Sequence, residues 1–449
     1  MKLSQFTVIV NDYPETDQHL LYNTLSRALI QVDKAEWDVL QDLSKGVPIE
    51  RQEYALLEPL QDQGFLVPKE IKEGERFLKY LNQSSDQKGG EVSVTLLTNL
   101  QRCPLACGYC YQQGTHVGGR LEGDLSDECL AFIKKQCEKV EAERLFVSYY
   151  GSEPLSNLKA IVSTATELKR FCGEKGIRFR FGMVTSGVLL TREVVETLRP
   201  LGFVQVQITV DGNQQTHDAS RPFQSGKGTY TTIMNNLAEY AGLISTNVLC
   251  VLDESRINAA YELVDTLADS GYAERRVRMK FSPVTEINEN ETIAASQLYV
   301  DEGQKMTAER EILIEIAKLS IYAAERGLVD DLLPKHTWCA MQRHDGRNFT
   351  LEPSGKLYTC PIFIGRDEKY EAGSIVEGFG GIDTVLKESY QRSEQCLSCR
   401  YLPICADCRV DALHQTGEIT EANPKEEEYD LIMPELIKAH YNTTVAGNG

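Results

Sequence analysis

Cysteine is the residue whose grouping carries chemistry in this sequence. Of 13 cysteines, Cys103, Cys107 and Cys110 stand together as C-x3-C-x2-C in NLQRCPLACGYCYQQG. Cys396, Cys399, Cys405 and Cys408 stand together as C-x2-C-x5-C-x2-C in QCLSCRYLPICADC. Between the groups, Cys339 and Cys360 bracket a segment of the form C-x15-G-x4-C, in which Gly355 opens a predicted hairpin turn. Grouped thiols in a reducing compartment point to metal ligation or redox chemistry rather than disulfides. Three thiolates on one loop leave one iron of a four-iron cluster open to a ligand that is not protein, as open positions do in catalytic metal centres. Pro104 and Gly108 let the chain wrap tightly, and Tyr109 offers an aromatic face beside the metal. A structural zinc would want a fourth Cys or His, for which His116 is the candidate. The C-terminal group reads two ways: two CxxC pairs make a four-cysteine zinc site, or the thiols serve iron–sulfur clusters. Cys129, Cys137, Cys172 and Cys250 stand alone in apolar patterns and read as small core residues.

The elements that must position the first group alternate between strand and helix. Strands are predicted at 92–98, 144–151, 178–185, 203–210, 246–252 and 276–282, with amphipathic helices between them. Six βα units in series imply an α/β fold with a parallel sheet, an open or partial TIM-like (β/α)6 barrel. Function in such barrels sits on loops at the C-terminal ends of strands, and the first strand runs directly into Cys103, Cys107 and Cys110. Ahead of the barrel, residues 1–82 read as a separate α+β module. FTVIV is a strand, 20–32 two short strands or a hairpin, DKAEWDVLQDL a helix behind an Asp cap, and 52–67 a helix ending at Gly64 before a short strand. Two helices and a final β-wing suggest a winged helix. The polar stretch 82–91 is a linker, 286–338 a largely helical bridge, and 339–440 a cysteine-rich domain.

On these segments the chain resembles the radical S-adenosylmethionine (SAM) superfamily, whose signature is C-x3-C-x-aromatic-C after the first barrel strand. YYGSEPL (149–155) is similar to the Gly-Gly-Glu-Pro segment that holds the amino group of SAM, with Gly151, Ser152, Glu153 and Pro154 in its places and Ser for the second Gly. VTSGVLL places Ser186 where the family approaches the ribose or carboxylate of SAM, and VDGNQQTHDASRP places Arg221 where it pairs with the carboxylate. A guanidinium fork suits that partner. In the same segment, Asp211-Gly212 reads as a turn and His217 as a loop-packing residue. The resemblance implies SAM and a [4Fe-4S] cluster held by Cys103, Cys107 and Cys110, with Tyr109 beside it. It implies reductive cleavage of SAM to a 5′-deoxyadenosyl radical that takes a hydrogen atom from the substrate.

Residues 339–408 resemble the SPASM extension, which carries auxiliary [4Fe-4S] clusters. By position, Cys339, Cys360 and Cys408 would serve one and Cys396, Cys399 and Cys405 a second. The chain departs from that pattern in its last spacing, x2 for x3, and in having no cysteine after Cys408. One or both clusters would therefore keep an open or non-cysteine ligand, with Asp411 or His414 in reach, or the second would be missing. SPASM-bearing enzymes mostly act on peptides, and the N-terminal module resembles the winged-helix domain that ribosomal-peptide maturases use to capture a leader. The resemblance thus implies a precursor peptide as partner and an electron donor such as flavodoxin or ferredoxin. A formylglycine-forming sulfatase maturase is the second reading, opposed by Pro361, where those enzymes carry an Asp after the G-x4-C cysteine. A non-catalytic iron–sulfur or DNA-binding protein is the third. No catalytic base stands out, although Asp345, Glu352 and Tyr358 lie in the right segment.

Composition narrows the remaining classes. The net charge of −19, with 66 acidic against 47 basic residues, disfavours a nucleic-acid partner. No apolar run is long enough to span a membrane, and the first residues lack a secretory signal pattern, so a cytoplasmic location is expected.

Overall fold

The structure, a computed structural model, describes residues 1–47, 51–85, 89–101, 103–110, 112, 119–284, 302–336, 346–365, 368–381, 392–405, 412, 420 and 424–444. Cys339, Cys408, His116, Asp345, Asp411 and His414 lie outside the described residues. The chain divides into two contact units, one of residues 1–85, 331–339 and 391–449, the other of 86–330 and 340–390.

The first unit opens with β1 (Lys2–Leu3), β2 (Thr7–Val10), β3 (His19–Asn23) and β4 (Leu29–Val32). Strands β2, β3 and β4 form an antiparallel sheet in that order. Helix α1 (Lys34–Lys45) starts at the expected Asp cap. The Asp33 carboxylate accepts from Glu36 N, and Glu36 returns the bond to Asp33 N, both at 2.9 Å, a reciprocal capping box. The chain continues through α2 (Arg51–Asp62), β5 (Leu66–Val67), antiparallel to β1, and α3 (Glu73–Ser85). Leu21, Val32, Leu40, Leu60 and Phe65 form the core beneath the sheet.

This unit also takes in the second cysteine group. The short helix Glu394–Ser398 and the helix Glu426–Thr444 belong to it. Leu402 completes a small core with Phe6 and Phe77. The Gln5 side-chain amide donates to Leu397 O at 2.8 Å and the Thr24 hydroxyl to Arg400 O at 2.6 Å. A Cβ on Gly74 would lie 2.0 Å from Leu397 O, so α3 meets the cysteine turn backbone to backbone.

In the second unit the six predicted strands all form: β6 (Glu91–Leu97), β7 (Arg144–Tyr150), β8 (Arg178–Thr185), β9 (Phe203–Thr209), β10 (Ser245–Leu252) and β11 (Val277–Pro283). Each pairs in parallel with the next, giving an open six-stranded parallel sheet. Helices α4 (Gly123–Lys139), α5 (Leu158–Lys175), α6 (Arg192–Leu198), α7 (Gln214–Ser220), α8 (Tyr230–Tyr240) and α9 (Ile257–Asp269) fill the connections. Val92, Val94 and Leu96 of β6 are fully buried, as expected for a strand covered by helices.

Two differences from the sequence reading concern the downstream segments. Helix α10 (Glu302–Ala324) packs on β11 and α9 and belongs to the barrel unit rather than forming a bridge. The hairpin β12 (Asn348–Leu351) and β13 (Lys356–Tyr358), with Gly355 at φ +87° in its turn, extends the main sheet because β12 pairs in parallel with β6. Strands β14 (Gly373–Ser374) and β15 (Gly378–Phe379) continue that sheet. Phe349 explains the attachment: it stacks edge-on against Phe132 of α4, 5.7 Å between ring centres.

Candidate active site

The three-cysteine loop, the Gly151–Pro154 turn, Ser186 and the Asp211–Arg221 segment each follow a parallel strand at its C-terminal end. The three-cysteine loop leaves β6 and is stitched to the chain after α7. Ala106 N donates to Pro222 O at 2.8 Å, Gly108 N to Ser220 O at 3.1 Å, and Gln224 N to Pro104 O at 2.8 Å. Cys103, Cys107 and Cys110 form no disulfide. They are close enough for the charges of Cys107 and Cys110 to act on Cys103. Burial, the larger effect, pushes the Cys103 thiol up to about 12. Burial also raises Cys107, against the pull of the Arg221 cation. Among the described residues no three His, Cys, Asp or Glu side chains close around one ion. A four-iron cluster takes one thiolate at each corner the protein holds, and the three cysteines of this loop offer three such donors.

The end of β7 turns sharply. Gly151 has φ +96°, and a Cβ there would come within 3.0 Å of Asn99 O and the Leu97 side chain. Ser152 follows at φ +44°, a conformation L-residues rarely adopt, and donates its N–H to Gln112 Oε1 at 2.8 Å. Pro154 starts a short 3-10 turn capped by Glu153. The Glu153 carboxylate is fully buried and is satisfied by protein donors alone. Its Oε1 accepts from Leu155 N (3.1 Å) and the Thr185 hydroxyl (2.6 Å), and its Oε2 from Ser186 N (2.9 Å) and the Ser186 hydroxyl (2.5 Å). Glu153 and Ser186 therefore clamp the end of β7 to the end of β8, and the Ser186 hydroxyl proton is committed to that clamp.

Tyr109 is the hub on the other side. Its hydroxyl donates to Asp211 Oδ2 and accepts from Arg221 Nη1 at 2.8 Å. Arg256 lies over its ring at 4.8 Å and Arg221 at 5.8 Å. Burial raises the Tyr109 hydroxyl pKa, so the phenol stays protonated. Burial alone would lower Arg221, but its hydrogen bond to Tyr109 and the Asp211 charge beside it raise it. Its Nε is nonetheless buried with no acceptor among the described residues, a gap that a carboxylate would fill.

Sequence reasoning missed Asp211, Thr185, Gln112 and Arg256. Asp211 does precede a left-handed glycine, Gly212 at φ +77°, as an Asp-Gly turn should. It is also fully buried, accepting from Tyr109, Val251 N (3.2 Å) and Ser220 (3.2 Å). The available signal was position: Asp211 and Arg256 both follow a barrel strand at its C-terminal end. His217 is a packing residue as expected, its Nδ1 accepting from Asp211 N (3.0 Å) and its Nε2 meeting the Thr229 hydroxyl (2.9 Å). Burial lowers its pKa to about 4.

Of the downstream residues, Cys360 is half-buried just past β13, and Glu352 and Tyr358 are buried in the hairpin, where burial raises both pKa values. In the other unit, Cys396 and Cys399 are buried and Cys405 half-buried. Burial pushes Cys399 up to about 11, helped by the charges of Glu426, Cys405 and Cys396. Ser393 caps the cysteine helix by accepting from Cys396 N at 3.2 Å.

Comparison with known proteins gives a consistent picture. Residues 100–265 match the Radical SAM superfamily. The AdoMet-dependent heme synthase of Methanosarcina barkeri is 24% identical over 72% of this chain and 92% of its own length. The mycofactocin maturase of Mycolicibacterium smegmatis is 26% identical over 74% of this chain and 81% of its own. The solved structure of native anSMEcpe with bound AdoMet and Kp18Cys peptide shares the fold with a TM-score of 0.61. It is 17% identical and covers 78% of this chain and 99% of that one.

Proposed function

Residues 100–265 being a radical SAM domain, we propose that the protein is a peptide maturase that modifies a ribosomally made precursor, forming a crosslink such as a thioether or carbon–carbon bond. The observation that carries this reading is the convergence, at one end of a parallel sheet, of a three-thiol loop and the Arg221 guanidinium with an open buried N–H. Radical SAM enzymes use SAM and a [4Fe-4S] cluster, and when bound these supply a 5′-deoxyadenosyl radical that removes a hydrogen atom from the substrate. In this reading Cys103, Cys107 and Cys110 hold the cluster, and iron takes the place of the thiol protons that burial otherwise favours. Arg221 takes the SAM carboxylate on its open edge. The Gly151–Pro154 turn, its shape fixed by Glu153, Thr185 and Ser186, would hold the amino end.

The C-terminal thiols are read as auxiliary [4Fe-4S] ligands of a SPASM-like domain, Cys339, Cys360 and Cys408 for one cluster and Cys396, Cys399 and Cys405 for a second. Such clusters give an electron a way out when the substrate is oxidised, and flavodoxin or ferredoxin is the reductant proposed. The N-terminal module is read as a winged-helix leader site. Among the described residues no strand pairs with the outer edge of β4, and an extended leader adds there as a further strand. That open edge, together with the peptide held by anSMEcpe and the maturase relative, favours a peptide over the tetrapyrrole chemistry named for the heme synthase. Formylglycine formation is disfavoured because Pro361 follows Cys360 and begins a 3-10 turn, leaving no carboxylate at that place. A DNA-binding role is disfavoured by the net charge of −19. No described helix is long and apolar enough to cross a membrane.

The test is anaerobic. The protein is reconstituted with iron and sulfide, given SAM and a strong reductant, and assayed for 5′-deoxyadenosine, then incubated with precursor peptides. A peptide mass lower by two hydrogens per crosslink supports the proposal. SAM cleavage with no change in any peptide would leave the radical chemistry and remove the peptide substrate.

A further inference from the structure

Arg256 stands at the mouth of the barrel, inside the matched stretch 100–265 but outside the cysteine, Gly151–Pro154, Ser186 and Arg221 segments singled out from the sequence. It ends the short 3-10 turn Glu254–Arg256 that follows β10. Asp253 fixes the turn by accepting from Ser255 N at 3.0 Å, and its other oxygen meets Arg256 Nε at 3.3 Å. One edge of the guanidinium is thereby held. The plane lies over the Tyr109 ring at 4.8 Å, one residue from Cys110. The side chain is only 14% exposed, and Nη1 is buried with no acceptor among the described residues. A buried donor without a partner costs about 1–3 kcal/mol, and native proteins rarely leave one unless a ligand completes it. Tyr109 thus has two guanidinia against it, each with one open N–H: Arg221 Nε and Arg256 Nη1.

We propose that Arg256 is a second SAM-binding arginine, its open edge donating to an acceptor atom of the bound cofactor while Asp253 and Tyr109 hold it in place. The proposal rests on the radical SAM reading and adds to it a contact from the fifth strand. A planar fork held on one edge presents the other in a fixed direction, which a lysine cannot reproduce.

The experiment measures SAM affinity by anaerobic calorimetry on the reconstituted full-length protein, with iron and sulfide counted in each sample. Arg256→Gln is expected to keep its full iron content and bind SAM at least tenfold more weakly, a loss of about 1.4 kcal/mol. Arg256→Lys is expected to keep its iron and stay several-fold weak. Wild-type affinity in Arg256→Gln with full iron overturns the proposal. So does iron loss in Arg256→Gln that Arg256→Lys reverses together with wild-type affinity, since the residue then only holds the Tyr109 loop. If the wild-type protein binds no SAM, the radical SAM reading fails first, and the variants are not needed to see it.

Discussion

Replacing Glu153 by Gln keeps the shape of the side chain and changes only what its atoms can accept, so it isolates the carboxylate. Each oxygen faces one backbone N–H and one hydroxyl: Leu155 N and Thr185 on one side, Ser186 N and Ser186 Oγ on the other. A hydroxyl can rotate to accept from an amide, but a backbone N–H cannot reverse. Whichever way the Gln amide is turned, its NH2 confronts a backbone donor in a place with no exposure to water. The loss is one charge-assisted hydrogen bond and one buried donor left unpaired, about 2–3 kcal/mol in all. For a unit of this size that is a fall in Tm of roughly 5–10 °C, measured by thermal unfolding under anaerobic conditions. Because the clamp joins β7 to β8 beneath the Ser152 turn, SAM affinity should fall with it. A Tm within about 1 °C of wild type would refute the reasoning, showing that the four donors find acceptors elsewhere.

The other predictions concern different layers of the molecule. Changing Cys103, Cys107 and Cys110 together to Ala should abolish SAM cleavage and remove about four irons per chain, leaving the iron at the C-terminal thiols; retained cleavage would overturn the site assignment. His217 has a folded pKa of about 4 against an ordinary 6.5, so the unfolded chain binds its proton first as pH falls. Its contribution is full above about 6.5 and is lost on the way down to about 4, close to 3 kcal/mol in total. Urea titrations of wild type and His217→Gln across that window should show the slope shrinking in the variant, and equal slopes would count against it. Gly74→Val should force α3 away from Leu397 O, which a Cβ would approach to 2.0 Å, and release iron held by Cys396, Cys399 and Cys405 while SAM cleavage continues. Unchanged total iron would show that this close approach is dispensable.

Much of the barrel was legible because its signals are local. A strand needs its run of apolar residues and a helix its cap, and Asp33 with Glu36 or Gly355 before Cys360 are written within a few positions. What escaped depends on partners far away in the chain. Nothing around Phe349 says that β12 will pair with β6, more than 250 residues earlier, since the reason lies in Phe132 and Phe379. Asp211 looked like an ordinary turn residue because its role comes from Tyr109 and Val251, which no window around it contains. The contact of Phe6 and Phe77 with Leu402 was equally hidden. It bears on experiment: deleting residues 1–82 would strip that core from the second cysteine group. Loss of peptide modification in such a deletion would then report cluster damage as readily as lost leader binding, and substitutions on the outer edge of β4 are the cleaner probe.

The charged groups at the barrel mouth divide by whether the protein has already satisfied them. The two buried carboxylates are closed, Glu153 by four donors and Asp211 by Tyr109, Val251 and Ser220. The two arginines beside Tyr109 are each held on one edge and open on another, Arg221 at Nε and Arg256 at Nη1. Acids that bound the ligand directly would show the opposite pattern, with carboxylate oxygens left waiting for a cation. The mouth is therefore built to receive a molecule that brings acceptors, and its acids serve to hold the shape that presents the donors. SAM, with a carboxylate, ribose oxygens and ring nitrogens, meets that demand. In the proposed reading its sulfonium and ammonium charges would be left to the cluster and to the backbone of the Gly151–Pro154 turn, since Glu153 and Asp211 are already engaged.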